Sequence, residues 1–149
     1  MIGVIADPSG ASQSQFGAAL ANIGLIRTRV DGTPIGPARD SAVSVELIVG
    51  APGWSDPNDA AGARTGAVVL IAAHAASTGA RASPFVLDST LVIAPATMPG
   101  AFNPSIASSQ FVDAAIGHSV ELLGYRQNSQ ESVVLIGAPG LSGGTGGVL

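Results

Sequence analysis

Residues 47–53 read LIVGAPG and residues 134–140 read VLIGAPG. An apolar run that stops at Gly-Ala-Pro-Gly therefore occurs twice, and its meaning decides the fold. It is either a loop that grips a phosphate or the end of a strand in a duplicated unit. The residues around it favour the second. A phosphate loop of the Walker type needs Lys followed by Ser or Thr, because the ammonium reaches the phosphates and the hydroxyl holds Mg²⁺. The chain has no lysine. A dinucleotide fingerprint needs its glycines to open a helix, and LSGGTGGVL after the second copy offers none. As a strand end the motif makes physical sense. Proline cannot donate to a ladder, and glycine permits close backbone approach or positive φ.

Aligning the chain on the two copies brings other pieces into register. GVIADP (3–8) matches LVIAP (91–95), FGAAL (16–20) matches IGHSV (116–120), and GAVVL (66–70) matches GGVL (146–149). Unequal spacings between these pairs imply inserted loops, chiefly in the Pro- and Ser-rich ATMPGAFNPSIASS. Strands are expected near Ile2–Ala6, Gly17–Ala21, Val45–Val49, Gly66–Ala72, Thr90–Ala94, Gly117–Leu123 and Val133–Ile136, with a last one opening at Gly146. The runs VELIV and VVLI are continuously apolar, which suits strands covered on both faces. Alanine-rich AALANIGLI and AVVLIAAHAAS suit a helix as well.

Composition agrees with a β-rich globular chain. Of 149 residues, 46% are hydrophobic and 11% charged, which excludes an intrinsically disordered protein. Twenty glycines and ten prolines cut the chain into pieces too short for long helices. The net charge of −4 and six scattered arginines leave no concentrated positive surface for nucleic acid. With no cysteine there is no disulfide framework or thiolate metal site. No apolar stretch reaches the ~18 residues of a transmembrane helix, and MIGVIADPSG lacks the basic start of a signal peptide.

The ordered set Phe16-Gly17, Gly50-Ala51-Pro52, then Ile116-Gly117 and Gly137-Ala138-Pro139, resembles the FG-GAP repeat of integrin alpha-subunit β-propellers. The resemblance implies an all-β fold whose blades are four-stranded antiparallel sheets. Residues 1–149 would form about two blades of an incomplete propeller, the units joining near residues 75–90. Phe16 would be a packing anchor between blades, with Ile116 filling the same role. The implied function is non-catalytic recognition or adhesion on an extracellular or cell-surface protein. Its partners would be a protein or glycan ligand and the remaining blades. The family often binds calcium between the first two strands of a blade. Here those loops offer only Asp31, Asp40 and Glu46, or Asn128 and Glu131, too few and wrongly spaced for six to eight oxygens. No cofactor is expected.

Other chemistry is thin. His118 and Ser119 are adjacent on an expected strand and point to opposite faces, so they do not pair as base and nucleophile. His74 has no visible partner, and two distant histidines without cysteine make a poor zinc site. In GWSDPNDAAGARTG (53–66), Trp54 stands beside Asp56, Asp59 and Arg64 as a candidate ligand surface; alternatively, the indole folds back as a plug over the blade edge. Alternating strand direction should bring this loop to the same end as DPSGASQSQ (7–15). Two other readings are an accessory propeller of a secreted hydrolase, or a small α/β nucleotide-binding enzyme using the glycine loops.

Overall fold

A computed structural model of the chain describes residues 5–10, 13–26, 44–56, 62–75, 85–97, 106–126 and 131–149. Strands β1 (Ala19–Ile26), β2 (Ser44–Ala51), β3 (Ala67–Ala75) and β4 (Phe85–Ile93) form one antiparallel sheet in the order of the chain. Strands β5 (Ser119–Arg126), β6 (Glu131–Ala138) and β7 (Gly147–Val148) form a second, three-stranded sheet. Helix among the described residues is confined to short turns at Ser108–Phe111 and Leu141–Gly144. None is long and apolar enough to cross a membrane. Every strand pairing within the two sheets is antiparallel, unlike the parallel sheet of an α/β nucleotide-binding fold.

Both alanine-rich segments are strands. β3 pairs with β2 residue for residue from Ala51↔Ala67 to Ser44↔His74 and also pairs with β4, so two ladders override a modest helix propensity. The continuous apolar runs are covered on both faces. Ile48 and Val68 are buried in a cluster with Val120, Leu122, Val134 and Ile136 of the second sheet. Val49, Val69 and Ile71, on the opposite face, are buried with Ile5 and Phe16 packed against them. Each such side chain contributes roughly 1.5–3 kcal/mol on full burial.

The repeat seen in sequence is a repeat in structure. Gly17 N donates to Gly50 O at 3.0 Å, and Gly117 N to Gly137 O at 3.1 Å. Gly53 N donates to Ser14 O at 2.9 Å, and Gly140 N to Ala114 O at 3.0 Å. Positive φ recurs at Gln13, Gln15 and Gly17 and again at Asp113, Ala115 and Gly117. Register slips between Asn22 and Gly24 and between Leu122 and Gly124. Two turns built alike therefore feed two strand pairs built alike.

Two expectations are corrected. The strand placed near Thr90–Ala94 as the opening of the second unit is the end of β4, bonded along β3, so the first sheet runs through Ile93. Of the strand expected at Ile2–Ala6, Ile5 and Ala6 lie outside any strand, and the preceding residues fall outside the described set. Among the described residues the two antiparallel sheets hold four and three strands, where two four-stranded sheets of an incomplete propeller are expected.

Candidate functional site

Antiparallel pairing puts the start of β1, the end of β2, the start of β3 and the end of β4 at one end of the first sheet. The connections before β1, between β2 and β3, and before β5 therefore gather there. The gathering is a backbone joint. Ile116 N donates to Thr65 O at 3.1 Å, Asp113 N to Arg64 O at 2.6 Å, and Gly66 and Ile116 form a parallel bridge. A Cβ on Gly50 would lie 1.9 Å from Gly117 O, and one on Gly117 would lie 2.3 Å from Ala67 O. Only bare backbone fits.

The same logic explains the last glycine of each GAPG. Gly140 has φ −89° and ψ −2°, a conformation open to most residues. Its glycine is required instead by contact, because a Cβ would meet Asp113 O at 1.8 Å; at Gly53 it would meet Gln13 O at 2.3 Å. Ala51 and Ala138 end β2 and β6 as buried residues, and Pro52 and Pro139 begin the turns.

Trp54 is 2% exposed and packs with Ala51, Ala67 and Ala94, whose small side chains leave room for an indole. Its counterpart after the second GAPG is Leu141, buried with Phe111, Ala114, Ile116 and Ala138. The position is a plug in both units. Trp54 is thus not an exposed ligand contact, since its ring faces the interior. Its Nε1 is buried and has no hydrogen-bond partner among the described residues. Phe16 is half-buried beside Val49 and Ile71, and Ile116 is fully buried, so both serve as packing anchors.

The remaining polar groups at this end form an open surface. Exposed Arg64 donates from Nη2 to Gln13 Oε1 at 2.6 Å, which ties the β2–β3 connection to the first turn. Together with the Gly53–Ser14 bond, this unites the loops containing 53–66 and 7–15 at one end. Asp56 is half-buried in the same connection. Asp59 lies outside the described residues, as do Asp31, Asp40 and Asn128 of the calcium reading. No three His, Cys, Asp or Glu side chains gather as a metal site among the described residues. His118 and Ser119 are both exposed. Glu46, half-buried on β2, is pushed above the ordinary Glu range by desolvation.

Asp7 organises the first turn. It accepts from Ser9 N at 2.8 Å, from Ser9 Oγ at 2.6 Å and from Ser14 Oγ, while Ser14 Oγ accepts from Phe16 N at 3.3 Å. Burial alone would raise the Asp7 carboxyl, but the hydrogen bonds from Ser14 and Ser9 outweigh it and hold the group below the ordinary Asp range. A carboxylate with a depressed folded pKa adds stability above its unfolded pKa of about 3.9 and loses it as pH falls through the folded value. Ser14→Ala should therefore lower the melting temperature at neutral pH and converge with the wild type in acid. A gap that stays constant from pH 7 to pH 2 would remove Asp7 from this role.

No protein-family model matches the chain, and no curated protein matches it in sequence. The plug was legible in part. The signal that could have favoured it is Leu141, an apolar residue at the matching position after the second GAPG. Burial of the indole needed the fold.

Proposed function

We propose that this chain is an FG-GAP-like segment of a β-propeller that acts as a non-catalytic recognition or adhesion module on an extracellular or cell-surface protein. The observation that carries the reading is the equivalence of the two turns. Phe16-Gly17 and Ile116-Gly117 each enter the first strand of a sheet, and each glycine donates to the last-but-one residue of a β2-type strand that ends in GAP. The resemblance rests on those residues. The four-stranded antiparallel meander of the first sheet supports the reading, because such a repeat implies blades of that form.

Ligand contact falls to the polar end of the sheets. Arg64 and Asp56 are the candidates, flanked by exposed Gln13 and Asp113 on the neighbouring turns. The ligand is a protein or glycan, because the described residues Gln13, Asp56, Arg64 and Asp113 offer the dispersed hydrogen-bonding groups of a recognition surface. Binding of panels of soluble extracellular proteins and glycans to the immobilised chain tests this. An Asp56→Ala, Arg64→Ala double variant should bind its partner about ten-fold more weakly while keeping the β circular dichroism and cooperative melting of the folded chain. Binding to no member of either panel, or equal binding by the variant, would remove the reading.

A further inference from the structure

The backbone joint between the two units occurs once, yet each of its halves is present twice. In the middle of the chain the first unit supplies Gly50–Ala51 and Arg64–Ala67, and the second supplies Asp113–Gly117. The repeat places the counterpart of the first half at Gly137–Ala138 and Gly144–Gly147. It places the counterpart of the second half at Gln13–Gly17. Neither counterpart is engaged as its twin is. A Cβ at Gly17 would meet nothing within 4 Å among the described residues, whereas at Gly117 it would strike Ala67 O. At Gly137 it would first meet Ser119 of its own sheet, at Oγ, 2.2 Å away, whereas at Gly50 it would strike the backbone of the other unit.

The side chains beside these halves tell the same story. Ile48 and Val68 are buried against the second sheet, but their counterparts Leu135 and Val148 are 38% and 66% exposed. Val120 is buried against the first sheet, while its counterpart Leu20 is 62% exposed. Turn, strand ends and apolar positions that lock together in the middle thus stand open at the two extremes.

We infer that a second copy of this chain docks head to tail on the first, its Gln13–Gly17 turn and Leu20 seating on Gly137–Ala138, Gly144–Gly147 and the Leu135–Val148 face. The occupant is a copy of this chain because the contact is continuous with the interface between its own sheets. It is specified by backbone carbonyls, amides and glycine gaps that the chain already matches once. Such a contact is heterologous, so one copy can dock after another. The inference rests on the repeat architecture of the proposed function and not on Asp56 or Arg64. Loss of ligand binding with retained association would separate the two.

Sedimentation velocity of the full chain across a hundred-fold concentration range tests it, with Leu20→Glu blocking the head and Leu135→Glu blocking the tail. Circular dichroism and melting curves confirm that each variant folds; a variant that does not is replaced by Leu20→Gln or Leu135→Gln. Wild type should associate with concentration. Each variant alone should associate at least about ten-fold more weakly, and their equimolar mixture should form a dimer and stop there, since one intact head meets one intact tail. A wild type that stays monomeric, variants that associate like wild type, or a mixture no better than its components would overturn the inference. So would loss of association in Leu135→Glu alone, which marks a tail-to-tail contact.

Discussion

Trp54→Ala is expected to destabilise the chain by about 3–5 kcal/mol, the range for truncating a large buried aromatic side chain. The indole fills a space walled by Ala51, Ala67 and Ala94, none of which can extend into the vacancy. It also sits where β2 turns out of the first sheet: Trp54 N donates to Ala51 O, and Trp54 O accepts from Gly66 N, which begins the run into β3. A loss of that size is a large share of a typical domain's 5–15 kcal/mol. Trp54→Phe should cost far less. It leaves a smaller gap and removes an indole N–H that has no partner among the described residues, a group whose burial costs about 1–3 kcal/mol. Urea unfolding followed by circular dichroism measures both. A Trp54→Ala variant as stable as the wild type would place the ring outside the core and restore it as a surface contact.

Gly50→Ala and Gly137→Ala are the same change at equivalent positions, and they should differ sharply. At Gly50 the new methyl collides with the carbonyl of Gly117, itself held at φ +86° between Ala67 and Ala51. Backbone on both sides must move, and the Ile116–Thr65 and Asp113–Arg64 bonds strain with it. Overpacking costs typically 1–3 kcal/mol and occasionally more, and a collision with fixed backbone belongs at or above the upper end, about 3 kcal/mol. At Gly137 the obstacle is the Ser119 hydroxyl, which can rotate away, so the loss should be under about 1 kcal/mol. Melting curves at low protein concentration, where the chain is monomeric, compare them. Equal losses would mean that the two units are not joined as described.

Much of the architecture was legible because it rests on local rules. Gly-Ala-Pro-Gly ends a strand for the reasons that proline and glycine impose anywhere, and both copies do so at Ala51 and Ala138. Continuous apolar runs in β2 and β3 announced strands buried on both faces. The reading failed where pairing decides. LVIAP carries the pattern of a strand, but nothing in it states whether that strand closes one sheet or opens the next. Its bonds to β3 settle that, through a ladder between residues far apart in the chain. AVVLIAAHA likewise reads two ways until β2 and β4 flank it. Trp54 shows the limit for sites. A lone tryptophan among Asp, Asn and Arg has the composition of a binding loop, and only the three alanines around it, from separate parts of the chain, turn it inward. The glycines of the joint were visible as glycines, while the carbonyl facing each of them was not.

The two β units meet through bare backbone at Gly50 and Gly117. Nuclear Overhauser contacts in the uniformly labelled chain, combined with amide exchange, test it most directly. Hα–Hα contacts between Gly50 and Gly117 are expected, with slow exchange of the Ile116 amide, which is bonded to Thr65 O across the joint. Absence of any contact between Gly117 and Gly50, Ala51 or Ala67, with the Ile116 amide exchanging as fast as an exposed loop, would contradict it.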